Sequence, residues 1–198
     1  MSKSDPAAQK KERNKTIRWV VTIFLVTIVV SSIISLVSEE LMSGSGIVTC
    51  FLILLAIILV GIIFDIIGMA VTSADEKPFH SMAARKVPGA QYAIKLLRNA
   101  ERVSSICCDV VGDICGVVSG SASATIAALI LTNVQLGWPR LVSLIMSALV
   151  AGLTVGGKAI GKTFAMNSAT TIVHTVGKII YWLNHFPELF RSKTKNKR

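Results

Sequence analysis

Long apolar segments alternate with short polar ones along the chain. Asp, Glu, Lys and Arg are all absent from four segments, namely Trp19–Ser38, Leu41–Phe64, Ile114–Pro139 and Leu141–Gly157. A helix needs roughly 20 apolar residues to cross a bilayer core of about 30 Å, and three of the four segments are that long. The pattern predicts an all-α, polytopic helical membrane protein with about four transmembrane helices. We place these spans near 16–37, 47–71, 103–131 and 141–165.

Two further segments have the pattern of amphipathic helices. The connection between the second and third spans carries an apolar stripe at helical spacing, with Lys95 and Arg98 on its other side. A segment after the fourth span is similar, and polar residues such as Lys178 favour a surface helix there, with a fifth span as the alternative. We expect juxtamembrane helices near 82–100 and 171–186, lying along the membrane surface.

The charges of the chain indicate how it lies in the membrane. Only 16% of the 198 residues are charged, against roughly 25% in soluble domains. Of the 21 Lys and Arg residues, 20 lie in residues 1–18, in the connection 72–102, or from Lys158 to the C-terminus. Because cytoplasmic loops are enriched in Lys and Arg, we expect both termini in the cytoplasm. Basic tails over 1–15 and 187–198 then flank a transmembrane domain over 16–186.

This arrangement excludes several classes of protein. The net charge of +10 belongs to the loops and tails rather than to one basic face, so we expect the lipid bilayer as a partner and no nucleic acid. H-E-x-x-H, C-x-x-C, P-loop and G-x-S-x-G patterns do not occur. We therefore expect no enzyme. The four cysteines fall in or beside the spans, where they serve as small apolar residues, and they are Cys50, Cys107, Cys108 and Cys115.

Glycines recur at spacings of about one helical turn in the last two spans. The third span carries Gly112, Gly116 and Gly120, and the fourth carries Gly157 and Gly161. Small residues four apart let membrane helices approach closely, so we predict tight helix packing at these positions. Ion coordination by backbone carbonyls freed near the glycines is the alternative.

Five charged residues lie within the predicted bundle. Asp65 is near the cytoplasmic end of the second span, Asp109 and Asp113 share a face of the third, and Lys158 and Lys162 share a face of the fourth. An unpaired charge inside a bilayer costs several kcal/mol, so these side chains are expected to face one another or a wet cavity. Counting residues from the cytoplasm predicts a two-rung ladder, Asp113–Lys158 and Asp109–Lys162.

Two interpretations of these charges remain open. In the first, carboxylates and ammonium groups neutralise each other and hold the bundle together. In the second, Asp65 and Asp113, with a hydroxyl such as that of Thr72 or Ser119, face a path for a hydrated cation or proton. Oxygen ligands suit hard cations such as Mg²⁺, whereas two nearby lysines argue against a permanently bound divalent ion.

Three motifs occur in order along the chain. The first runs Gly89-Ala90-x-x-Ala93-x-x-Leu96-Leu97-x-Asn99-x-Glu101-Arg102, after an Ala70-Val71-Thr72-Ser73. It resembles the cytoplasmic linker helix of the CNNM/CorC family of magnesium and cobalt transporters, and Ala70-Val71-Thr72-Ser73 is similar to the end of that family's first helix. Gly112-Asp113 falls where the family has Gly-Asn. Gly157-Lys158-Ala159-Ile160-Gly161-Lys162-Thr163 falls on its G-E-x-x-P-K-T signature. The resemblance covers about residues 61–186.

The resemblance implies a homodimer that holds a dehydrated Mg²⁺ among these helices and is gated by cytoplasmic CBS domains. The chain departs from it at the implied ion site. Asp65 replaces a Ser, Gly68 a Glu, Asp113 an Asn, Lys158 a Glu and Gly161 a Pro. We hypothesise that the Lys158 ammonium takes the electrostatic role of the Mg²⁺, with Asp65 and Asp113 as its counter-ions.

Two functions follow from these patterns. The first is transport or efflux of a divalent cation, Mg²⁺ or Co²⁺, with Asp65 and Asp113 as the candidate metal ligands. The alternative is a non-transporting membrane scaffold or partner subunit in which Lys158 replaces the cation. No CBS pair is recognisable in the sequence, so a separate cytoplasmic regulatory subunit is an expected partner. The short loops and the resemblance favour a bacterial cytoplasmic membrane.

Overall fold

The computed structural model describes residues 6–133 and 138–195, and the side chains of residues 17–132 and 138–185. All the regular secondary structure in this part of the chain is helical, without a strand. The helices are α1 (Pro6–Met42), α2 (Ile47–Ser73), α3 (Lys77–Ala84), α4 (Ala90–Arg98), α5 (Ala100–Ser104), a π-helical segment (Ser105–Gly112), α6 (Asp113–Asn133), α7 (Pro139–Asn167) and α8 (Ala169–Lys195). The predicted all-α fold is confirmed.

Four helical stretches are long and apolar enough to cross a membrane. They are 17–42, 47–73, 100–132 and 139–167. Most of their first and last residues lie within a few residues of those of the predicted spans. Many large apolar side chains point outward, among them Leu144 and Ile160, which are 67% and 76% exposed. Such broad apolar surface is rare on soluble monomers. The chain is a multi-pass membrane protein.

The segment expected to form one juxtamembrane helix over 82–100 instead contains a break. Helix α3 ends at Ala84, and α4 begins only at Ala90. Pro88 disfavours helical backbone in the residue before it, and Gly89 adopts a φ of +87°, a left-handed conformation that glycine tolerates best. A turn therefore separates the two helices and lets α4 take its own direction.

The ends of the chain also differ from the predicted boundaries. Helix α8 contains the predicted helix over 171–186 and continues to Lys195, well into the segment expected to be a tail. At the other end, α1 already begins at Pro6. The outermost parts of the predicted tails, residues 1–5 and 196–198, lie outside the described residues.

Helix α2 is the centre of the bundle, in contact with α6, the π-helical segment, α7 and α8. Two apolar clusters lie along it. The first joins α2 to the end of α1 and to α6 and α7, and consists of Met42, Cys50, Leu54, Ile58, Ala122, Ile126, Ala127, Met146 and Val150. The second joins the end of α2 to α3, α4, α7 and α8, and consists of Ala70, Val71, Phe79, Ala93, Ala165, Ala169 and Val173. The α2 residues between Ile58 and Ala70 therefore lie between two packed regions.

Candidate functional site

An ion pair joins α2 to α7 between the two apolar clusters. Lys158 Nζ lies 3.1 Å from Asp65 Oδ2, and the two side chains are only 29% and 17% exposed. Asp65 is eight residues before the end of α2, and Lys158 is nine before the end of α7. At 1.5 Å per residue both lie about 12–14 Å inside their helices. Their matching depth allows the two side chains to meet.

Gly112 provides the room for this pair. A Cβ at this position would lie 3.0 Å from Asp65 Oδ1 and 3.3 Å from Lys158 Nζ. Because Gly112 has no side chain, the backbone of the third span approaches both charged groups. Three elements thus meet at this point, which we call the α2–α7 ion-pair site and define by Asp65, Gly112 and Lys158.

The chain beside the site is π-helical from Ser105 to Gly112. π-Helical segments are rare and occur frequently at functional sites. Gly68 on α2 packs against this segment, since a Cβ there would lie 2.5 Å from Cys108 Sγ. Cys108 Sγ also lies 3.7 Å from the Asp65 carbonyl oxygen. This segment is not visible in the sequence, because the apolar pattern does not distinguish a π-helix from an α-helix.

The predicted charge ladder is wrong in both of its rungs. Lys158 pairs with Asp65 rather than Asp113, and within the described side chains Asp109, Asp113 and Lys162 have no ion-pair partner. All three are exposed. The reason is rotational, because Gly112 faces the site and the next residue lies about 100° further around the helix. Of the two proposed counter-ions of Lys158, the structure brings only Asp65 to it.

Thr72, the candidate hydroxyl ligand, is also turned away from the site. It is exposed, and its Oγ1 donates to the carbonyl oxygen of Met69 at 2.9 Å, one turn back along the same helix. Seven residues separate it from Asp65, a rise of about 10 Å. Its hydroxyl is therefore hydrogen-bonded within its own helix and does not supply an oxygen ligand beside the Asp65 carboxylate.

The predicted glycine contacts form at some positions and not at others. A Cβ on Gly157 would clash with Ile62 Cδ1, and one on Gly161 would lie 2.9 Å from Ile66 Cγ1, so both glycines let α7 approach α2. By contrast, a Cβ on Gly116 or Gly120 would meet nothing within 4 Å. Gly116 and Gly120 therefore lie on an open face of α6 and make no close helix contact among the described residues.

The donor set at the ion-pair site does not suit a resident divalent cation. In the described part of the chain, no three His, Cys, Asp or Glu side chains lie close enough together to hold a metal ion. One oxygen of Asp65 is already in contact with an ammonium, and Mg²⁺ prefers octahedral oxygen coordination. What the arrangement provides chemically is a neutralised pair of charges inside the bundle.

Comparisons of this chain with protein-family models, with curated proteins and with solved structures give no match.

Proposed function

We propose that this chain is a multi-pass membrane scaffold or partner subunit with a transporter-like bundle that carries its own cation, the Lys158 ammonium. The contact of 3.1 Å between Lys158 Nζ and Asp65 Oδ2 is the observation that carries this proposal. In the resemblance to the CNNM/CorC family, Lys158 falls on a glutamate and Asp65 on a serine. The positive charge of the side chain then takes the place of the positive charge of Mg²⁺.

Electrostatics supports this choice over a bound divalent ion. Two unit charges 4 Å apart interact by about 4 kcal/mol at an effective dielectric constant of 20, so a divalent ion at that distance from an ammonium is repelled by about 8 kcal/mol. One carboxylate, already paired with Lys158, offers little to offset this repulsion. Mg²⁺ would have to displace the ammonium before it could use Asp65.

The test is a comparison of metal response between the natural chain and Lys158→Gln, with Lys162→Gln as the matched control. We expect the natural chain and the control to show the same thermal stability with and without millimolar Mg²⁺. We expect Lys158→Gln to be less stable without metal and to be stabilised by Mg²⁺, because Asp65 then lacks a cation. Saturable stabilisation of the natural chain by Mg²⁺ would contradict the proposal.

Divalent-cation transport is the second candidate, and the exposed carboxylates favour it. Asp109 and Asp113 are four residues apart and exposed within a helix long enough to span the membrane. Carboxylates at such positions commonly mark ion pathways. Together they offer oxygen ligands of the kind that Mg²⁺ and Co²⁺ accept.

Flux into proteoliposomes separates the two candidates. A scaffold gives no Mg²⁺ or Co²⁺ flux above that of empty vesicles. A transporter gives saturable flux that Asp113→Ala abolishes, while Glu101→Gln, an exposed carboxylate at the start of the same span, leaves it unchanged. Saturable flux that depends on Asp113 therefore supports transport, and absence of flux supports the scaffold.

We further propose that two copies associate through the open face of α6. Small residues four apart lie exposed on this helix at Gly120, Ala124 and Ala128, the spacing at which membrane helices pack closely. Asp109 and Asp113 lie on the same side, and a second chain removes their carboxylates from lipid. The exposed Lys162 ammonium of one copy is then available to pair with Asp109 or Asp113 of the other.

Substitution on the open face tests the homodimer without disturbing the fold of one chain. A Cβ on Gly120 or on Gly156 of α7 meets nothing within 4 Å, so both positions accept a larger side chain. We expect Gly120→Leu to convert a dimer to a monomer in detergent, by light scattering, and Gly156→Leu to leave it a dimer. A monomeric natural chain at all concentrations would refute this assembly.

The orientation and partners are part of the same proposal. We assign both termini and the segment 72–102 to the cytoplasm because of their Lys and Arg content. The short loops and the family resemblance favour a bacterial cytoplasmic membrane. A C-terminal fusion to a fluorescent protein should be fluorescent, and one to alkaline phosphatase inactive. The opposite reporter pattern would overturn the cytoplasmic assignment of the C-terminus. A cytoplasmic regulatory subunit should copurify with the tagged chain.

A further inference from the structure

A polar crevice of about 310 Å³ lies away from the ion-pair site, between the α3–α4 turn and α8. Its size is at the lower end of small-molecule sites in proteins. Its polar and aromatic lining residues are Lys86, Gln91, Tyr92, Lys95, Tyr181 and His185. The proposed function uses none of these side chains.

Glycine contacts fix the shape of the crevice. A Cβ on Gly89 would lie 2.5 Å from Lys178 N, and one on Gly177 would lie 2.6 Å from the Gly89 carbonyl oxygen. The start of α4 therefore rests directly on the backbone of α8. The crevice opens beside this crossing, so its two walls are held together by backbone contact rather than by long side chains.

A lysine occupies a backbone position at the crevice that normally favours glycine. Lys86 has a φ of +57°. The N–H groups of Lys86 and Val87 donate to the carbonyls of Ala83 and Met82, the Schellman arrangement in which glycine is the usual residue at this position. A side chain other than Gly in the left-handed region is uncommon. Its presence places a positive charge at the rim of the crevice at a cost to local stability.

The charges around the crevice are of one sign. Lys86 and Lys95 contribute two ammonium groups, and no lining residue is acidic. The carboxylate of Glu76, just before α3, is already held by His80 and by Arg98, each at 3.1 Å. Since that carboxylate has its own partners, the lysines at the crevice are left to attract an anion from outside.

The aromatic residues form the other wall. The Tyr181 ring stacks on the His185 ring with centroids 4.1 Å apart, and meets the Tyr92 ring edge-on at 6.2 Å. Lys95 Nζ lies 5.3 Å from the centre of the Tyr92 ring, close enough for a cation–π contact. The phenol hydroxyls can donate hydrogen bonds to oxygens of an anion held by the lysines, whereas His185 Nδ1 already donates to the Tyr181 carbonyl oxygen at 3.0 Å.

Another face of α8 is exposed and apolar. It carries Ile179, Trp182 and Leu183, each about 100° or more around the helix from Tyr181. Trp and Lys beside exposed aliphatic side chains are typical of the level where lipid headgroups lie. We propose that this crevice binds the anionic phosphate group of a membrane lipid, with Lys86 and Lys95 as the cationic contacts.

Lipid retention by the purified chain tests this proposal. The probes are mixed micelles of detergent with phosphatidylglycerol or with phosphatidylcholine, and native mass spectrometry counts the bound lipid. The variant is Lys86→Gly with Lys95→Gln, since glycine suits the backbone at position 86. The control is Lys77→Gln with Lys178→Gln, which removes the same charge from outside the crevice.

We expect the natural chain and the control to retain phosphatidylglycerol in preference to phosphatidylcholine, and the variant to bind it roughly tenfold or more weakly. Equal loss in variant and control, or equal retention of the two lipids, would overturn the proposal. Inorganic phosphate serves as the second arm. Displacement of the lipid by millimolar phosphate would identify a soluble anion as the ligand, whereas persistence of the lipid supports a headgroup site.

Discussion

Loss of the Lys158 ammonium is expected to destabilise the bundle through the charge that it leaves behind. In Lys158→Met the Asp65 carboxylate, 17% exposed, keeps its position without a partner. Breaking a fully buried pair by removing one partner costs about 3–5 kcal/mol. Since both side chains retain some exposure, we expect a loss of about 2–3 kcal/mol in unfolding free energy.

A double-mutant cycle isolates the pair from other effects of the substitution. Asp65→Asn alone should cost a similar amount, because it leaves the ammonium unpaired. The double variant should be only slightly less stable than either single one, which gives a coupling energy of about 1.5–2 kcal/mol. Unfolding of the purified chain in mixed micelles of mild detergent and dodecyl sulfate measures these differences.

The control for this cycle is Lys162→Met, which removes an exposed ammonium one turn away on the same helix. We expect it to change the unfolding free energy by less than about 0.5 kcal/mol. If the losses caused by Asp65→Asn and Lys158→Met add within error, the two side chains do not stabilise each other. If Lys162→Met lowers the unfolding free energy as much as Lys158→Met, the loss reflects general removal of charge rather than the ion pair.

Three further substitutions test the packing, each by the same unfolding measurement. Gly112→Ala should lower the unfolding free energy by about 1–3 kcal/mol, because its Cβ meets both charged groups of the ion-pair site. Gly116→Ala should cause no loss, and equal effects of the two substitutions would contradict a close approach at Gly112. Gly177→Ala should also destabilise by about 1–3 kcal/mol by separating α4 from α8, unlike Gly152→Ala, whose Cβ meets nothing within 4 Å. Glu76→Gln should cost less than about 1 kcal/mol because its pairs with His80 and Arg98 are solvent-exposed, and a larger loss would show that these pairs hold α3 to α4.

The fold was predictable because its signal is compositional. Four segments without charged residues predict four spans, since a bilayer core requires a fixed length of apolar helix. The break between α3 and α4 was less visible, although Pro88-Gly89 marks it in the sequence. Local backbone preferences there override the apolar stripe that continues on either side, and the stripe alone suggested one helix.

The candidate site was predictable in its members but not in its pairing. Charges inside apolar segments are unusual enough to identify Asp65 and Lys158 from the sequence. Their partners depend on helix rotation, which a residue count cannot supply. The π-helical segment from Ser105 to Gly112 precedes α6 directly, and it is Gly112 rather than Asp113 that faces the pair.

The sequence by itself determined the environment of this protein, the number of its spans and the few charges that must be accounted for within them. These properties follow from hydropathy and length, which do not depend on neighbouring helices. Only the tertiary structure decided that Lys158 meets Asp65, that Asp109 and Asp113 remain exposed, and that two glycines bring α4 onto α8. Each of these depends on the rotation and crossing of helices, where one residue changes the direction of a side chain by about 100°.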